Sequence, residues 1–147
     1  MEKTTIKKEI SLNAPRERVW EVLLKDEFTR QWFAAFSEGT HAVTDWQLGS
    51  KVVFKDESQS GMVGRIVQNT PLEVLSIEYD GMLVNGEEDT QSPGAQAVQG
   101  GQETYRLVPS GQGTHLLIES DMSPEYFDMM SAAWDQALLK IKELSEN

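Results

Sequence analysis

The chain has no cysteine and only two histidines in 147 residues. The lack of cysteine excludes thiol catalysis, thiolate metal sites and disulfide bonds, and it is typical of a reducing compartment, so we expect a cytoplasmic protein. His41 and His115 fall on separate strand candidates with outward parity, and no HExxH motif is present. Because a metal site needs convergent ligands with recognisable spacing, we predict neither a metal nor a cofactor.

Long apolar runs and basic residues are also scarce. No segment approaches the ~18 apolar residues of a membrane span, and residues 1–9 lack the apolar core of a signal peptide. Thirteen Lys and Arg stand against 24 Asp and Glu, giving a formal net charge of −11. That charge repels nucleic-acid phosphates and anionic lipids, so we expect no nucleic-acid or membrane partner. Solubility is its simplest interpretation, and attraction of a basic partner is the alternative.

Catalytic motifs are missing as well. No G-x-S-x-G elbow is present, and Gly94 and Gly100-Gly101 lack the flanking strand and helix of a phosphate-binding loop. We therefore assign no catalytic residue from the sequence.

The N-terminal segment is a strand followed by two helices. Residues 2–12 alternate, with Ile6, Ile10 and Leu12 on one parity. Pro15 suits a first helical turn, and residues 15–25 carry one apolar face, after which Asp26 begins a second short helix. This pattern predicts a half-buried strand that runs directly into a V-shaped helical pair.

The middle of the chain predicts a series of antiparallel hairpins. Turn-forming residues separate strand candidates at 40–47, 51–57, 62–69, 73–82, 102–109 and 113–121. Between Val84 and Gln102 the sequence has almost no apolar periodicity and many chain breakers, which predicts a long, mobile loop.

The last segment predicts a long amphipathic helix. Ser123-Pro124-Glu125 combines an N-cap, a first-turn proline and a first-turn acid. The apolar residues that follow share one face: Phe127, Met130, Trp134, Ala137, Leu138 and Ile141. With no repeat or linker, residues 1–147 are predicted to form one α+β domain of order βααββββββα, a curved antiparallel sheet wrapped around the C-terminal helix.

Several segments, taken in order, carry a resemblance to a known family. They are Asn13-Ala14-Pro15-Arg16-Glu17-Arg18-Val19-Trp20, Gln31-Trp32-Phe33, Asp45-Trp46-Gln47-Leu48-Gly49-Ser50-Lys51-Val52-Val53-Phe54, Gly64-Arg65-Ile66-Val67, Pro71, Glu103-Thr104-Tyr105-Arg106-Leu107, Gly113-Thr114-His115-Leu116 and Trp134. The chain resembles the START-like (SRPBCC) helix-grip superfamily, in the branch similar to the heat-shock protein 90 ATPase activator homologue C-terminal domain. The resemblance implies a cavity between the sheet and the C-terminal helix.

Seven side chains with predicted inward direction are the candidate ligand contacts: Phe36, Trp46, Phe54, Tyr79, Tyr105, Met130 and Trp134. Apolar walls with a few polar tips are typical of small-molecule pockets, although an ordinary packed core has the same composition. A buried phenol needs a hydrogen-bond partner, so Tyr79 and Tyr105 are the candidates for orienting a polar ligand group.

Charged strand residues are predicted to face solvent. Glu78, Asp80, Glu103 and Glu119 could support acid–base chemistry only if the curved sheet turned them inward. Arg65 and Arg106 are similarly predicted to form outward salt bridges and not to hold an acidic ligand.

Three functions remain open at this point. The leading interpretation is a non-enzymatic protein, monomeric or homodimeric, that binds a small apolar or amphipathic ligand in the cavity. The second is a cofactor-independent enzyme similar to polyketide cyclases and aromatases, which a perturbed buried acid beside a tyrosine would favour. The third is a protein-interaction domain resembling the chaperone ATPase activator, with a protein partner on an outer face.

Overall fold

The computed structural model describes residues 3–147 as one antiparallel sheet with four helices. The eight strands are β1 (Thr4–Leu12), β2 (His41–Val43), β3 (Lys51–Lys55), β4 (Gly61–Thr70), β5 (Val74–Val84), β6 (Glu87–Asp89), β7 (Gln102–Ser110) and β8 (Gly113–Met122). Their order in the sheet is β1-β8-β7-β5-β4-β3-β2, with β6 added to β5. The predicted α+β, helix-grip class is confirmed.

The helices lie at the two ends of the chain, except for one short helix in the middle. They are α1 (Arg16–Leu24), α2 (Asp26–Phe33), α3 (Pro93–Val98) and α4 (Phe127–Glu146), the last preceded by a 3-10 turn at Pro124–Tyr126. The predicted helical pair is present, and the indole N–H of Trp32 on α2 donates to the Val22 carbonyl of α1 at 3.0 Å. This bond fixes α2 against α1.

The sheet curves where β4 pairs with β5. The register shifts between Val63 and Gly64 and again between Ile66 and Gln68. Such bulges bend a strand and increase its local twist. A Cβ atom on Gly64 would lie 2.5 Å from the Glu78 carbonyl oxygen, so only glycine permits the strands to approach this closely.

Helix α4 packs its apolar face against the sheet and the helical pair. Trp134, Ala137, Leu138 and Ile141 are buried, whereas Phe127 and Met130 are only partly buried. The four buried residues belong to one core cluster with strand residues such as Leu116. The buried part of the predicted face is therefore its C-terminal two-thirds, and the N-terminal turns border open space.

The segment from Val84 to Gln102, predicted to be a loop, contains a short strand and a short helix. Asn85 and Gly86 both have positive φ, 51° and 83°, and they turn the chain so that β6 pairs with β5. An Asn-Gly pair is a strong hairpin signal for this reason. The prediction of one unbroken loop was therefore wrong at its N-terminal end.

Helix α3 follows within the same segment. Its N-cap is Ser92, whose hydroxyl accepts a hydrogen bond from the Ala95 N–H at 3.2 Å, and Pro93 occupies the first turn. Ala95 is fully buried and anchors the helix. The Ser-Pro pair is the same start signal that identified the C-terminal helix, but the six-residue helix is too short to show apolar periodicity.

The strand predicted at 40–47 is also shorter than expected. Only His41–Val43 pairs with β3, because Trp46 has a positive φ of 62° that ends the extended backbone. Side chains of Thr44 and Asp45 accept hydrogen bonds from the backbone N–H groups of Trp46 and Gln47, which is typical of a turn.

Candidate functional site

A cavity of about 250 Å³ lies between the sheet, α2 and α4. We call it the aromatic cavity because six aromatic side chains line it: Trp32, Phe33, Phe36, Phe54, Tyr79 and Trp134. Several pack edge to face, including Phe36 with Trp134 at a centroid distance of 4.9 Å. Interlocked rings of this kind give the cavity a fixed shape.

Five of the seven predicted contact residues line this cavity. They are Phe36, Phe54, Tyr79, Met130 and Trp134. They come from the turn that follows α2, from β3 and β5, and from the first turns of α4. Periodicity assigned their inward direction correctly, whereas their role in binding remains a prediction.

Trp46 does not line the aromatic cavity. Its left-handed backbone turns the side chain away, and its indole N–H donates to the carbonyl of Leu24 at the end of α1, at 3.0 Å. The ring centroid lies 6.5 Å from that of Phe54. Trp46 therefore ties the β2–β3 connection to α1, a role that strand alternation did not predict.

Tyr105 is buried beside the cavity and not in its wall. Its ring packs near Trp134 at a centroid distance of 6.0 Å, and its hydroxyl donates to the carboxylate of Glu103. The hydroxyl of Tyr105 can therefore act on a ligand only through that carboxylate.

Glu103 is the centre of a polar cluster that faces the cavity. Its Oε1 atom accepts hydrogen bonds from Tyr79 Oη at 3.1 Å and from Ser120 Oγ at 3.3 Å, while Tyr105 Oη donates to Oε2. Strand pairing assembles the group, because Ser120 lies directly opposite Glu103 and Tyr79 lies on the neighbouring strand β5. A carboxylate has about four acceptor sites, so at least one on Oε2 is free for a ligand.

Burial controls the protonation of this cluster. It raises the pKa of Glu103 above its ordinary value of 4.5, against the opposing effect of the hydrogen bonds donated by Tyr105, Tyr79 and Ser120. Burial and the neighbouring carboxylate also raise the pKa of both tyrosines well above 10.0, so they remain hydrogen-bond donors.

The expectation that Glu103 faces solvent was wrong. Glu103, Tyr105 and Leu107 share one strand parity, and the other two are buried, which is the sequence signal that was available. The unmet hydrogen-bonding need of the buried phenols is a second signal. What the sequence could not show is that β8 places Ser120 opposite the carboxylate.

A second acid, Asp56, also lines the aromatic cavity. Hydroxyl groups of Ser58 and Ser37 donate to its carboxylate at 2.6 and 2.8 Å and lower its pKa to about 2. Asp56 is therefore ionised at neutral pH and fully engaged in holding the β3–β4 turn.

A second pocket, of about 310 Å³, adjoins the aromatic cavity. The two share four lining residues, Met62, Tyr79, Glu103 and Met130. All the methionines within residues 3–147 line this second pocket: Met62, Met82, Met122, Met129 and Met130. We call it the methionine pocket. Because these residues are scattered along the sequence, no periodic pattern revealed it.

The arginines face outward, as predicted for them. Arg65 forms salt bridges with Glu78 and Asp80, and Arg106 is exposed. Neither residue lines the aromatic cavity or the methionine pocket.

Within the described residues, no helix combines the length and the hydropathy needed to cross a membrane.

Solved structures of similar fold come from several bacteria. The Aha1 dimer of Colwellia psychrerythraea superimposes with a TM-score of 0.72 at 16% identity, over 97% of this chain and 96% of that one. A protein from Chromobacterium violaceum gives 0.69 at 21% identity, over 98% and 99%. CalU16 from Micromonospora echinospora gives 0.66 at 18% identity, over 97% and 74%. At these identities the likeness shows the fold alone.

The family comparison is more specific. None of the curated proteins matches the chain. Residues 13–146, which include every described strand and helix except β1, match the family model described as Activator of Hsp90 ATPase homolog 1-like protein. The chain therefore belongs to the Activator of Hsp90 ATPase homolog 1-like family.

Proposed function

We propose that this protein binds a small, largely apolar molecule in the aromatic cavity, with one polar group of the ligand held by Glu103. The observation that carries the proposal is an aromatic-lined space of about 250 Å³ whose wall includes the half-buried carboxylate of Glu103 and the hydroxyl of Tyr79 bonded to it. Binding sites for small molecules combine apolar walls with a few convergent polar groups in this way.

The polar cluster specifies the kind of group that fits. Tyr79, Tyr105 and Ser120 already use their hydroxyl protons on the carboxylate, so the capacity that remains at Glu103 is an acceptor site. A ligand hydroxyl or amine that donates to Oε2 would satisfy it. A ligand carboxylate would instead meet a like charge in a low-dielectric site.

The family description and the Aha1 relative also suggest a protein-interaction role. Apart from Tyr126 and Met129, which line the methionine pocket, the large exposed apolar side chains lie on separate parts of the fold, for example Val43 on β2, Val108 on β7 and Leu139 on α4. A docking face is expected to gather such residues into one patch. For this reason the cavity, and not an outer face, is the basis of the proposal.

A second candidate function is cofactor-independent acid–base catalysis at the same site. The observation that favours it is Glu103, whose pKa is raised by burial toward the range used in proton transfer, beside the phenol of Tyr79. One structural neighbour, DynU16, comes from the dynemicin biosynthetic locus. An enzyme of this kind would move a proton between Glu103 and a bound, reactive chain.

The binding proposal is tested by titration with 2-naphthol, a flat apolar probe with one hydroxyl donor, and with 2-methoxynaphthalene, which lacks the donor. We expect one 2-naphthol per chain by isothermal titration calorimetry, and at least fivefold weaker binding of the ether. Glu103→Gln should reduce this preference for the hydroxyl. Equal affinity for both probes would contradict the role of Glu103.

The location is tested by a matched pair of tryptophan substitutions on α4. Met130→Trp fills the cavity, whereas Leu139→Trp places the same side chain on the exposed face, where Leu139 is 59% exposed. We expect at least tenfold weaker 2-naphthol binding for Met130→Trp and wild-type binding for Leu139→Trp, with both folds checked by circular dichroism. Equal binding by the two variants would place the probe elsewhere and refute the proposal.

The molecules that copurify with the protein distinguish binding from catalysis. Wild-type protein and Glu103→Gln are purified in parallel from the same type of cell, and the masses of the extracted bound molecules are measured by mass spectrometry. A binding protein should carry the same molecule in both, at lower occupancy in the variant. A different mass in the variant would indicate a substrate that is no longer converted, and would favour the enzyme.

A further inference from the structure

Two compartments of different character meet at Glu103. The aromatic cavity is walled by rings in fixed edge-to-face contacts, such as Phe33 with Phe54 at 5.7 Å between centroids. The methionine pocket is walled by flexible thioether side chains, which adapt to ligands of varied shape. Glu103 and Tyr79 lie in the wall that both compartments share.

The concentration of methionine is the distinctive feature of the second compartment. Its five methionines come from four elements: Met62 lies in β4, Met82 in β5, Met122 at the end of β8, and Met129 and Met130 in α4. Helix α3 closes one side through Gly94, Ala97 and Val98. A Cβ atom built on Gly94 would lie 3.6 Å from the Met82 sulfur, so α3 runs close to this part of the pocket wall.

The pocket is only partly covered on its other side. Tyr126 is 51% exposed and Met129 is 62% exposed, although both line it. Large apolar side chains that stay accessible around a concave surface are typical of a binding groove. The buried end of this groove is the wall with Glu103, where the polar cluster lies.

We propose that the methionine pocket and the aromatic cavity are two halves of one binding site, which takes an elongated apolar molecule with a hydroxyl or amine partway along it. The donor bonds to Glu103, a flat ring system fills the aromatic cavity, and a flexible chain lies among the methionines. This inference rests on the function proposed above and adds the ligand's shape and the place of its polar group.

Two synthetic alcohols and one hydrocarbon test this arrangement. 1-(Naphthalen-2-yl)hexan-1-ol carries a ring, a central hydroxyl and a five-carbon chain; 1-(naphthalen-2-yl)ethan-1-ol lacks four carbons of the chain; 2-hexylnaphthalene lacks the hydroxyl. Burying one methylene strengthens binding by about fourfold. We call the two alcohols the hexanol and the ethanol analogue. Because the methionine pocket is partly open, we expect the hexanol to bind at least tenfold more tightly than the ethanol analogue. We expect 2-hexylnaphthalene to bind more weakly than the hexanol.

A matched pair on α3 locates the chain. Ala97→Trp places a ring in the methionine pocket, whereas Gln96→Trp places it on the exposed side of the same helix. We expect Ala97→Trp to reduce the affinity ratio of hexanol to ethanol analogue below threefold, and Gln96→Trp to keep it. An unchanged ratio in Ala97→Trp would overturn the inference.

Methyl resonances of [methyl-13C]methionine give an independent readout that needs no variant. Met82, Met122 and Met129 line only the methionine pocket, whereas Met62 and Met130 line both compartments. The ethanol analogue should shift the last two alone, and the hexanol should shift all five. If the ethanol analogue binds but the hexanol shifts no further methyl, the two-compartment inference fails and the proposed function stands. If neither alcohol binds, the proposed function fails.

Discussion

Trp134 allows the most demanding test of how the cavity wall is packed. Its side chain is 1% exposed and contacts the rings of Phe36, Trp32 and Tyr105, with centroid distances of 4.9, 6.0 and 6.0 Å. Replacing a packed tryptophan by alanine costs about 3–5 kcal/mol of unfolding free energy. Two features favour the lower end of that range.

The first is that one side of the indole already borders the cavity, so fewer contacts are lost. The second is that its buried Nε1–H finds no hydrogen-bond partner within residues 3–147, and removing an unsatisfied donor recovers part of the cost. We therefore expect Trp134→Ala to lose about 3 kcal/mol, which lowers Tm by about 10 °C for a domain of this size.

Urea unfolding followed by circular dichroism measures this loss. Trp134→Phe is the matched control, because it keeps an aromatic ring in the wall and removes the unsatisfied N–H, and it should cost about 1 kcal/mol or less. A loss below about 1 kcal/mol for alanine would refute the packing described here and show that the indole is only a loose cavity wall.

Three further outcomes follow from the structure. Burial raises the pKa of Glu103, so the folded state binds that proton more tightly than the unfolded state, and the stabilisation from this group is lost as the pH rises from 4.5 through the raised pKa. The unfolding free energy of Glu103→Gln, relative to that of the wild type, should therefore increase between pH 5 and pH 8. A difference that stays constant with pH in urea unfolding would contradict the burial of Glu103. In Gly81→Ala the new Cβ would lie 2.4 Å from the Asp89 carbonyl oxygen, so β6 must move; we expect a loss of about 1–3 kcal/mol in thermal unfolding, and full tolerance would show that the β5–β6 contact is not as close as described. Removing the N-cap of α3 in Ser92→Ala should cost about 1 kcal/mol and speed amide exchange in α3, and unchanged exchange there would show that the cap does not hold the helix.

Local pattern was sufficient for most of the architecture. Alternation in residues 4–12 and the apolar face through Trp134, Ala137 and Ile141 each describe one element that buries one side, and such elements are readable from spacing alone. Asn85-Gly86 and Ser92-Pro93 were equally readable as a turn and a helix start. The three residues of β6 and the six of α3 are too few to show apolar periodicity, so the polar composition of the segment predicts a loop.

The site was less predictable than the fold. Trp46 does not lie on the predicted face of the sheet, because its own left-handed backbone conformation breaks the strand alternation. Glu103 became the centre of the site because β5 and β8 bring Tyr79 and Ser120 to it, over sequence separations of 24 and 17 residues. The methionines gather from separate elements in the same way. Contacts between distant parts of the chain have no local signature, so they emerge only when the sheet is assembled.

Native mass spectrometry of the protein purified directly from the cells that make it tests the central claim most directly. We predict one adduct per chain that organic solvent releases, whose fragmentation shows a largely apolar skeleton with a hydroxyl or amine, and which Leu139→Trp retains but Met130→Trp loses. Protein that carries no adduct even after incubation with an organic extract of those cells, or an adduct that Met130→Trp retains in full, would contradict the claim that this cavity is a ligand-binding site.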